Sequence, residues 1–305
     1  MIVTSDSLAA LFTNFRVIWE DAFQAAQNAD TEWQRLVLTV PSSTDTETYG
    51  WMGTVPAMKE WTDTRQLSGL GAYNYSLKNR HFEVSLEVDR DTIEDDRYGQ
   101  IRPRIEQLGA EAARHPGQLA IETLVAGSTG NSYDGVDFFS ASHVSGLSGT
   151  QANTLTGTGV TLSAIRTDMI AARTAMRVFK DDQGRIMNLM ADLVVIPPQL
   201  QDVFEQLLNT TIIALSSGTQ QSNVLQGAYD VMVSPYLTDA DDWYLMSTRG
   251  SFKPLIYQTR KAPEFNAVDD PRDSQVFDNR KFKYGVDARY AFGYGMWQMA
   301  IRTTN

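Results

Sequence analysis

The sequence predicts an α+β fold, and three stretches of the chain carry that prediction. Residues 82–88 alternate between apolar and polar side chains, which indicates a strand with one apolar and one charged face. Residues 162–179 place apolar side chains three and four positions apart, the pattern of an amphipathic helix. Residues 282–292 return to a period of two, with aromatic side chains on one face. Long strands and long helices are thus both expected.

The N-terminal segment is predicted to be a helix with one face of large aromatic residues. Phe12, Phe15 and Trp19 fall on one side of a helical pattern that ends near Phe23. Two interpretations stay open. The helix packs on its own domain, or it is an arm that packs on a neighbouring subunit. A short strand is expected next, over 33–40.

Residues 50–91 are predicted to form a long two-stranded excursion. Gly69 and Gly71 mark its reversal, and the alternation changes phase between Leu77 and Phe82, which requires a bulge or a tight turn there. An isolated hairpin is marginally stable in water at best. The excursion is therefore expected to lie on another surface.

A long helix over 95–126 follows, and Pro116 is expected to kink or break it because proline removes a helix hydrogen bond. Beyond it, the patterns predict a compact α/β unit made of helix 162–179, strand 193–196, helix 200–208 and strand 229–233. Strands over 243–247 and 253–260 are expected to pair as a hairpin around Arg249 and Gly250. The last strands are expected to return beside the long helix.

Composition excludes several classes of function. The chain has 26 Lys and Arg against 37 Asp and Glu, and its formal net charge of −11 argues against a general nucleic-acid or anionic-membrane binder. It has no cysteine, which excludes disulfides, thiolate metal sites and cysteine nucleophiles. No run approaches the roughly 20 apolar residues of a membrane span, and no secretory signal is evident. A soluble protein that is intracellular at synthesis is expected.

No catalytic, cofactor-binding or metal-binding residue is predicted. The sequence lacks a phosphate-binding glycine loop, a nucleophile elbow and a paired-histidine zinc motif. His143 near Asp134 and Asp137 raises the alternative of a metal site or an acid–base pair. A histidine hydrogen-bonded within an irregular loop is the favoured interpretation, because no second ligand pair stands at a suitable spacing. A hydrolase built on scattered carboxylates is a further alternative that no spacing supports.

A set of short motifs follows in a fixed order along residues 49–143. They are Tyr49-Gly50-Trp51-Met52-Gly53, Val55-Pro56, Glu60-Trp61, Arg65, Asn79, Phe82-Glu83, Ile93-Glu94-Asp95-Asp96, His115-Pro116, Tyr133-Asp134-Gly135, Phe138-Phe139 and His143. Together they resemble the Mu-like phage major head protein family of the gpT type. The resemblance implies the Hong Kong 97 capsid fold. It also implies the function of a major capsid protein of a tailed phage or prophage, whose copies form an icosahedral head around double-stranded DNA.

The resemblance implies an organisation of the chain. Residues 1–49 are an N-terminal arm, 50–91 an extended loop, 92–160 a peripheral domain with a spine helix, 161–238 an axial domain, and 239–305 the return strands of the peripheral domain. Subunit-interface residues are expected in the extended loop at Arg65, Leu67, Leu70, Tyr73, Tyr75, Leu77, Lys78 and Arg80. In the arm they are expected at Phe12, Phe15 and Trp19.

The resemblance also implies partners. Copies of the chain are expected to form hexamers and pentamers, and to work with a separate scaffold protein, a maturation protease, a portal and a decoration protein. The shell is expected to hold double-stranded DNA without sequence specificity and to involve no membrane and no cofactor. No scaffold segment is expected to be fused ahead of the arm. The expected location is the virion capsid, with assembly in the host cytoplasm. A tail or decoration component is the alternative, and it predicts a compact chain without an unsupported hairpin and arm.

Overall fold

The structure is a computed structural model that describes residues 5–50, 52, 75–95, 98–214, 220–268, 270 and 273–305. The helices are α1 (Ser5–Ala29), α2 (Arg90–Glu94), α3 (Tyr98–Val125), α4 (Leu162–Arg177), α5 (Gln201–Asn209) and α6 (Ser274–Asn279). The strands are β1 (Val37–Pro41), β2 (Thr46–Tyr49), β3 (Tyr75–Lys78), β4 (Arg80–Asp89), β5 (Thr154–Thr156), β6 (Leu193–Ile196), β7 (Ile212–Ala214), β8 (Gln220–Ser222), β9 (Asp230–Val233), β10 (Trp243–Met246), β11 (Leu255–Val268), β12 (Lys281–Tyr294) and β13 (Ala300–Thr304). Short 3-10 turns occur at Glu32–Leu36, Ala126–Ser128, Pro198–Leu200 and Trp297–Met299.

One half of the molecule is built on a four-stranded sheet in the order β1-β11-β12-β4. β12 pairs antiparallel with both of its neighbours, and Phe282 lies opposite Val88. The apolar side of β12 packs in one core cluster with the spine helix α3, whereas Lys281 meets Glu87 at 2.9 Å on the other side of the sheet. The strand that alternation predicts over 82–88 is thus confirmed as β4.

The second half is built on a five-stranded sheet in the order β5-β13-β10-β6-β9. Helix α4 contacts β10, β13 and α5, while α5 contacts β9. The inward face of α4 is fully buried, because its apolar residues recur at helical spacing. The predicted helix, strand, helix and strand are confirmed as α4, β6, α5 and β9. This sheet with its helices is the compact α/β unit that the sequence predicts.

Helix α3 runs without interruption from Tyr98 to Val125, so of the kink or break expected at Pro116 the break is wrong and the kink stays a prediction. Proline at this position removes one backbone hydrogen bond. The turns that follow it bury Leu119, Ala120, Ile121 and Leu124, each 8% exposed or less. Burial of Leu119, Ile121 and Leu124 stabilises the helix beyond the proline, because each such side chain contributes about 1.5–3 kcal/mol of transfer free energy.

The hairpin expected between 243–247 and 253–260 is also wrong. β10 pairs with β6 and β13, whereas β11 pairs with β1 and β12, so the chain crosses from one sheet to the other between them. Residues 239–305 accordingly divide between the two halves, with β11 and β12 in the four-stranded sheet and β10 and β13 in the five-stranded one. The local turn signal at Arg249 indicates a reversal but carries no information about which strands pair.

The limits of the extended loop differ from the expected 50–91. Residues 80–89 form β4 and belong to the four-stranded sheet, so the loop is shorter than alternation alone suggests. The change of phase predicted between Leu77 and Phe82 is confirmed, because Asn79 is the single residue between β3 and β4. The strand expected over 33–40 is shorter too, since a 3-10 turn precedes β1. In the part of the chain described above, no helix combines the length and apolarity of a membrane span.

Candidate functional site

The extended loop leaves and re-enters the body of the subunit at one point. Strands β2 and β3 pair antiparallel, with Thr46 opposite Lys78 and Tyr49 opposite Tyr75. Met52, just beyond β2, is fully buried in the main core. The chain therefore leaves a fixed base at Met52 and returns to it at Tyr75, and residues 53–74 between them lie outside the described residues.

A buried polar network anchors that base to β11. The Tyr49 hydroxyl donates to Oε1 of Gln258 at 2.8 Å, and Nε2 of Gln258 donates to Oδ1 of Asn79 at 2.9 Å. Nδ2 of Asn79 donates in turn to Oγ of Ser42 and to the carbonyl oxygen of Thr44, both at 2.9 Å. Gln258 is 0% exposed and Asn79 is 3% exposed. We call Ser42, Tyr49, Asn79 and Gln258 the loop clamp. Loss of any member would leave a buried polar group without its partner.

Electrostatics reinforce the clamp on its outer side. Oε1 of Glu47 accepts hydrogen bonds from Oγ of Ser42 at 2.9 Å and from the backbone N–H groups of Ser43 and Thr44. These bonds lower the pKa of Glu47 to about 2, because they stabilise the carboxylate form. Burial raises the pKa of Tyr49 to about 12. At neutral pH, Glu47 is therefore an acceptor and Tyr49 a donor, as the network requires.

Two of the expected interface residues in the loop, Tyr75 and Leu77, pack on the subunit's own core. Both are half-buried against the main cluster, and the Tyr75 hydroxyl accepts a hydrogen bond from the Tyr294 N–H at 2.8 Å. Gly293 allows this close approach, because a Cβ there would lie 2.8 Å from the Tyr75 hydroxyl and 3.0 Å from a Leu77 methyl group. Tyr75 and Leu77 therefore anchor the loop to its own subunit.

The other expected loop residues divide into two groups. Lys78 is 74% exposed and lies 3.6 Å from Asp45, so it is a solvated lysine with a weak ion pair. Arg80 is exposed and holds its guanidinium 5.2 Å from the centre of the Phe82 ring. Arg65, Leu67, Leu70 and Tyr73 lie outside the described residues.

The arm helix α1 packs on its own subunit, the first of the two interpretations that the sequence leaves open. The Phe15 ring meets the Tyr284 ring edge-on at 5.2 Å, and Trp19 stacks on Phe265 at 5.8 Å. Phe12 stacks on Phe265 at 5.6 Å. Phe15 and Trp19 are 2% and 5% exposed, so their side chains are held by the subunit itself.

His143 forms a buried structural pair with Asp134. Nδ1 of His143 lies 2.7 Å from Oδ2 of Asp134, and the two side chains are 0% and 1% exposed. The imidazole stacks on the Trp297 ring at 4.1 Å, and Nε2 lies 3.2 Å from Oδ1 of Asn153. Among the described residues, no group of three or more His, Asp or Glu side chains could hold a metal ion. The geometry is that of the hydrogen-bonded histidine favoured by the sequence.

A pocket of about 230 Å³ opens between α3 and the four-stranded sheet. His115 and Glu111 line it from the helix, and Phe82 and Tyr290 line it from the sheet. Nδ1 of His115 lies 2.6 Å from the Tyr290 hydroxyl, and the imidazole packs 4.7 Å from the Phe82 ring. Burial lowers the pKa of His115, with Arg80 acting in the same direction and Glu111 and Glu122 against it.

The lowered pKa of His115 predicts that the stability of the subunit depends on pH. Because the pKa of folded His115 is lowered from 6.5, the unfolded chain binds more protons as the pH falls below that value. The free energy of unfolding is therefore expected to fall below about pH 6.5, with a slope from this one group of at most about 1.4 kcal/mol per pH unit. Urea unfolding of unassembled subunit at pH 5.5 and 7.5 measures it. His115→Gln should remove this part of the loss, and an equal loss in the variant would contradict the assignment.

Comparison with known proteins decides the family. The model of the Mu-like prophage major head subunit gpT matches residues 8–165, 160–237 and 238–305. The chain belongs to this family. It is 30% identical to the Mu-like prophage FluMu major head subunit of Haemophilus influenzae over 98% of this chain and 73% of that protein. It is also 30% identical to the major capsid protein of Escherichia phage Mu over 99% of this chain and 74% of that protein.

This gpT-family subunit has the same fold as the subunits of solved capsids. The procapsid subunit of bacteriophage JBD30 matches with a TM-score of 0.62 and 26% identity, over 99% of this chain and 76% of that one. A virus-like particle subunit from Pyrococcus furiosus matches with a TM-score of 0.56 at 8% identity, over 94% of this chain and 98% of that one, and it carries the fold alone. The chain is a major capsid protein of a Mu-like phage with a Hong Kong 97-type fold. Its family consists of structural capsid subunits, not enzymes.

Sequence reasoning missed the loop clamp. Gln258 is a polar residue within an apolar strand pattern, a mismatch that signals either an edge position or a buried hydrogen bond. Asn79 stands at the change of phase between two strands. Neither signal identifies the partner, because Asn79 and Gln258 are 179 positions apart.

Proposed function

We propose that copies of this capsid subunit form the hexamers and pentamers of an icosahedral shell, and that the excursion 53–74 makes the contact between neighbours. The loop clamp carries the proposal. It holds the base of the excursion through buried hydrogen bonds, while the excursion itself contains Leu67, Leu70 and Tyr73. A rigidly rooted segment with apolar side chains lowers the entropy that each contact must offset.

The proposal divides the loop by role. Arg65, Leu67, Leu70 and Tyr73 are the residues that contact the neighbouring subunit, with Lys78 and Arg80 beside them at the base. Tyr75 and Leu77 have both roles, because their half-buried side chains fix the direction of the loop while their outer surface flanks the contact. In the arm, the outward face of α1 is the surface that contacts a neighbouring subunit, and Val17 on this face is 50% exposed. Each contact is modest, and repetition around a closed shell multiplies its effect.

Replacement of residues 53–74 by a short Gly/Ser turn tests the role of the excursion. The subunit should stay soluble and melt cooperatively, because both sheets and the clamp are kept, while closed shells should disappear. Circular dichroism and electron microscopy of the purified protein measure the two outcomes. A full-length variant with Leu67, Leu70 and Tyr73 changed to Ser is the matched control for loop length, and it too should fail to assemble. Normal shells from either variant would rule out the excursion as the assembly contact.

The remaining partners follow from the family resemblance. A separate scaffold protein, a maturation protease and a portal act with the subunit during assembly in the host cytoplasm. The capsid of phage JBD30 is known in a form decorated with minor capsid protein trimers, which supports a decoration protein as a partner class here. The net charge of −11 favours packaged double-stranded DNA held without sequence-specific contacts.

A further inference from the structure

The five-stranded half of the subunit has an uneven distribution of charge. Between residues 115 and 248 the chain has five Lys and Arg but thirteen Asp and Glu. All five basic residues fall within residues 166–185, on α4 and the turn that follows it. Residues 186–248 have no Lys or Arg and seven acidic residues. Along residues 115–248, α4 and the turn after it therefore carry all of the positive charge, and the other segments carry most of the negative charge.

Most of those basic side chains lie in one line on α4. Arg166, Arg173 and Arg177 are seven and four positions apart, which places them on a single stripe of the helix. Arg166 donates to Oε1 of Gln221 at 3.3 Å, and Arg173 lies close enough to Tyr229 to oppose the rise that burial causes in the pKa of this tyrosine. Lys180, just beyond the helix, is exposed. We call Arg166, Arg173, Arg177 and Lys180 the basic stripe. Within the part of the chain that the structure describes, none of the four has a carboxylate within 4.0 Å, whereas Arg185 pairs with Asp181.

An acidic surface without cationic partners lies elsewhere on the same half. Asp202 and Glu205 stand on α5, and Asp239 and Asp241 stand in the loop that leads into β10. All four are exposed. Glu205 accepts a hydrogen bond from Gln201, and Asp239 accepts one from the backbone of Asp241. We call these four residues the acidic surface. No Lys or Arg among the described residues forms an ion pair with any of them. Asp242, by contrast, is paired with Arg302 at 2.6 Å.

Arg173 of the basic stripe and the acidic surface lie toward opposite ends of the sheet. β6 and β9 are parallel to each other, and β6 is antiparallel to β10, so the end at which β10 begins is the end at which β6 and β9 finish. Asp239 and Asp241 lie at that end, and α5 begins just past β6. Arg173 instead reaches Tyr229, immediately before the start of β9. A four-residue strand spans about 13 Å, beyond the reach of an ion pair. Arg173 is therefore out of reach of the acidic surface of its own subunit.

We propose that the basic stripe of one subunit docks on the acidic surface of the next copy of this chain. The inference rests on the proposed ring of subunits and specifies one of its contacts. Two different surfaces that complement each other make a heterologous contact, and heterologous contacts close into rings when the rotation allows. A second copy is favoured over other occupants because the chain itself carries both halves of the contact. Complementary charges of this kind also speed encounter and fix the register of the partners.

Neutralisation of two arginines tests the docking. Arg173→Gln with Arg177→Gln should leave the melting of the unassembled subunit unchanged, and should raise the protein concentration needed for half-maximal shell formation about tenfold. The matched control is Thr167→Glu with Thr174→Glu. It makes the same change in net charge on exposed positions of the same helix, about a quarter-turn away from the stripe. The control should assemble at nearly the concentration of the unaltered chain.

Charge exchange separates docking from a general charge effect. Arg173→Glu with Arg177→Glu, and Asp202→Lys with Glu205→Lys, should each abolish assembly, and the four changes together should restore it. Failure of the four-fold variant to assemble while it stays folded would overturn the docking. Normal empty shells from the Arg→Gln variant with loss of retained DNA would assign the stripe to DNA and overturn it as well. Absence of shells from the unaltered chain supplied with its scaffold protein would overturn the proposed ring and this contact together.

Discussion

Replacement of His143 by Ala is expected to lower the free energy of unfolding by about 3–5 kcal/mol. Among the described residues, His143 is the hydrogen-bond partner of Oδ2 of Asp134, and Oδ1 of Asp134 has no hydrogen-bond partner there. The substitution leaves a carboxyl group that is 1% exposed without a partner. It also removes the ring that stacks on Trp297 at 4.1 Å. Urea unfolding of unassembled subunit, followed by tryptophan fluorescence, measures the loss.

Two further variants separate the sources of that loss. His143→Phe keeps an aromatic ring against Trp297 but removes the hydrogen bond, so it should still cost most of the stability. Asp137→Asn changes a nearby half-exposed carboxyl that does not contact the histidine, and it should change stability by less than about 0.5 kcal/mol. A loss below 1 kcal/mol for His143→Ala would mean that water replaces the histidine and that the pair is not a structural anchor.

The elements that could be predicted are those in which the spacing of apolar residues within one segment identifies the buried face. β4 and β12 alternate because one face of their sheet lies on α3, and α4 repeats at helical spacing because one face lies on the sheet. The pairing of β10 with β6 and β13 could not be read in the same way. All four residues of β10 are buried, so its pattern has no period that identifies a face or a partner.

The arm shows the same limit for helices. Spacing identifies Phe15 and Trp19 as the buried face of α1, but a buried face does not reveal whether its cover belongs to the same subunit. The structure covers it with Tyr284 and Phe265, from strands more than 240 positions away. The loop clamp could not be predicted for the same reason. For the basic stripe, the segregation of charge is readable from the sequence, while the lack of carboxylate partners is not.

Gly109→Ala is expected to destabilise the subunit, although alanine is the better helix former. A Cβ at this position would lie 2.6 Å from the backbone oxygen of Trp19 and 3.1 Å from the backbone nitrogen of Phe23. Backbone atoms of α1 cannot rotate away, so the two helices must separate. Overpacking of this kind costs about 1–3 kcal/mol, which exceeds the gain of about 1 kcal/mol from helix propensity. A net loss of about 1 kcal/mol in the free energy of unfolding is therefore expected, and Gly109→Val should cost more.

Gly99→Ala is the matched control on the same helix. Gly99 is exposed, and a Cβ there meets no atom within 4 Å, so propensity alone acts and the subunit should gain up to about 1 kcal/mol. Opposite signs for the two substitutions are the expected result of chemical denaturation at subunit concentrations too low for assembly. A gain at both positions would mean that α1 does not lie against α3 in the free subunit. The arm would then be available to a neighbour, and Phe12, Phe15 and Trp19 would become assembly residues after all.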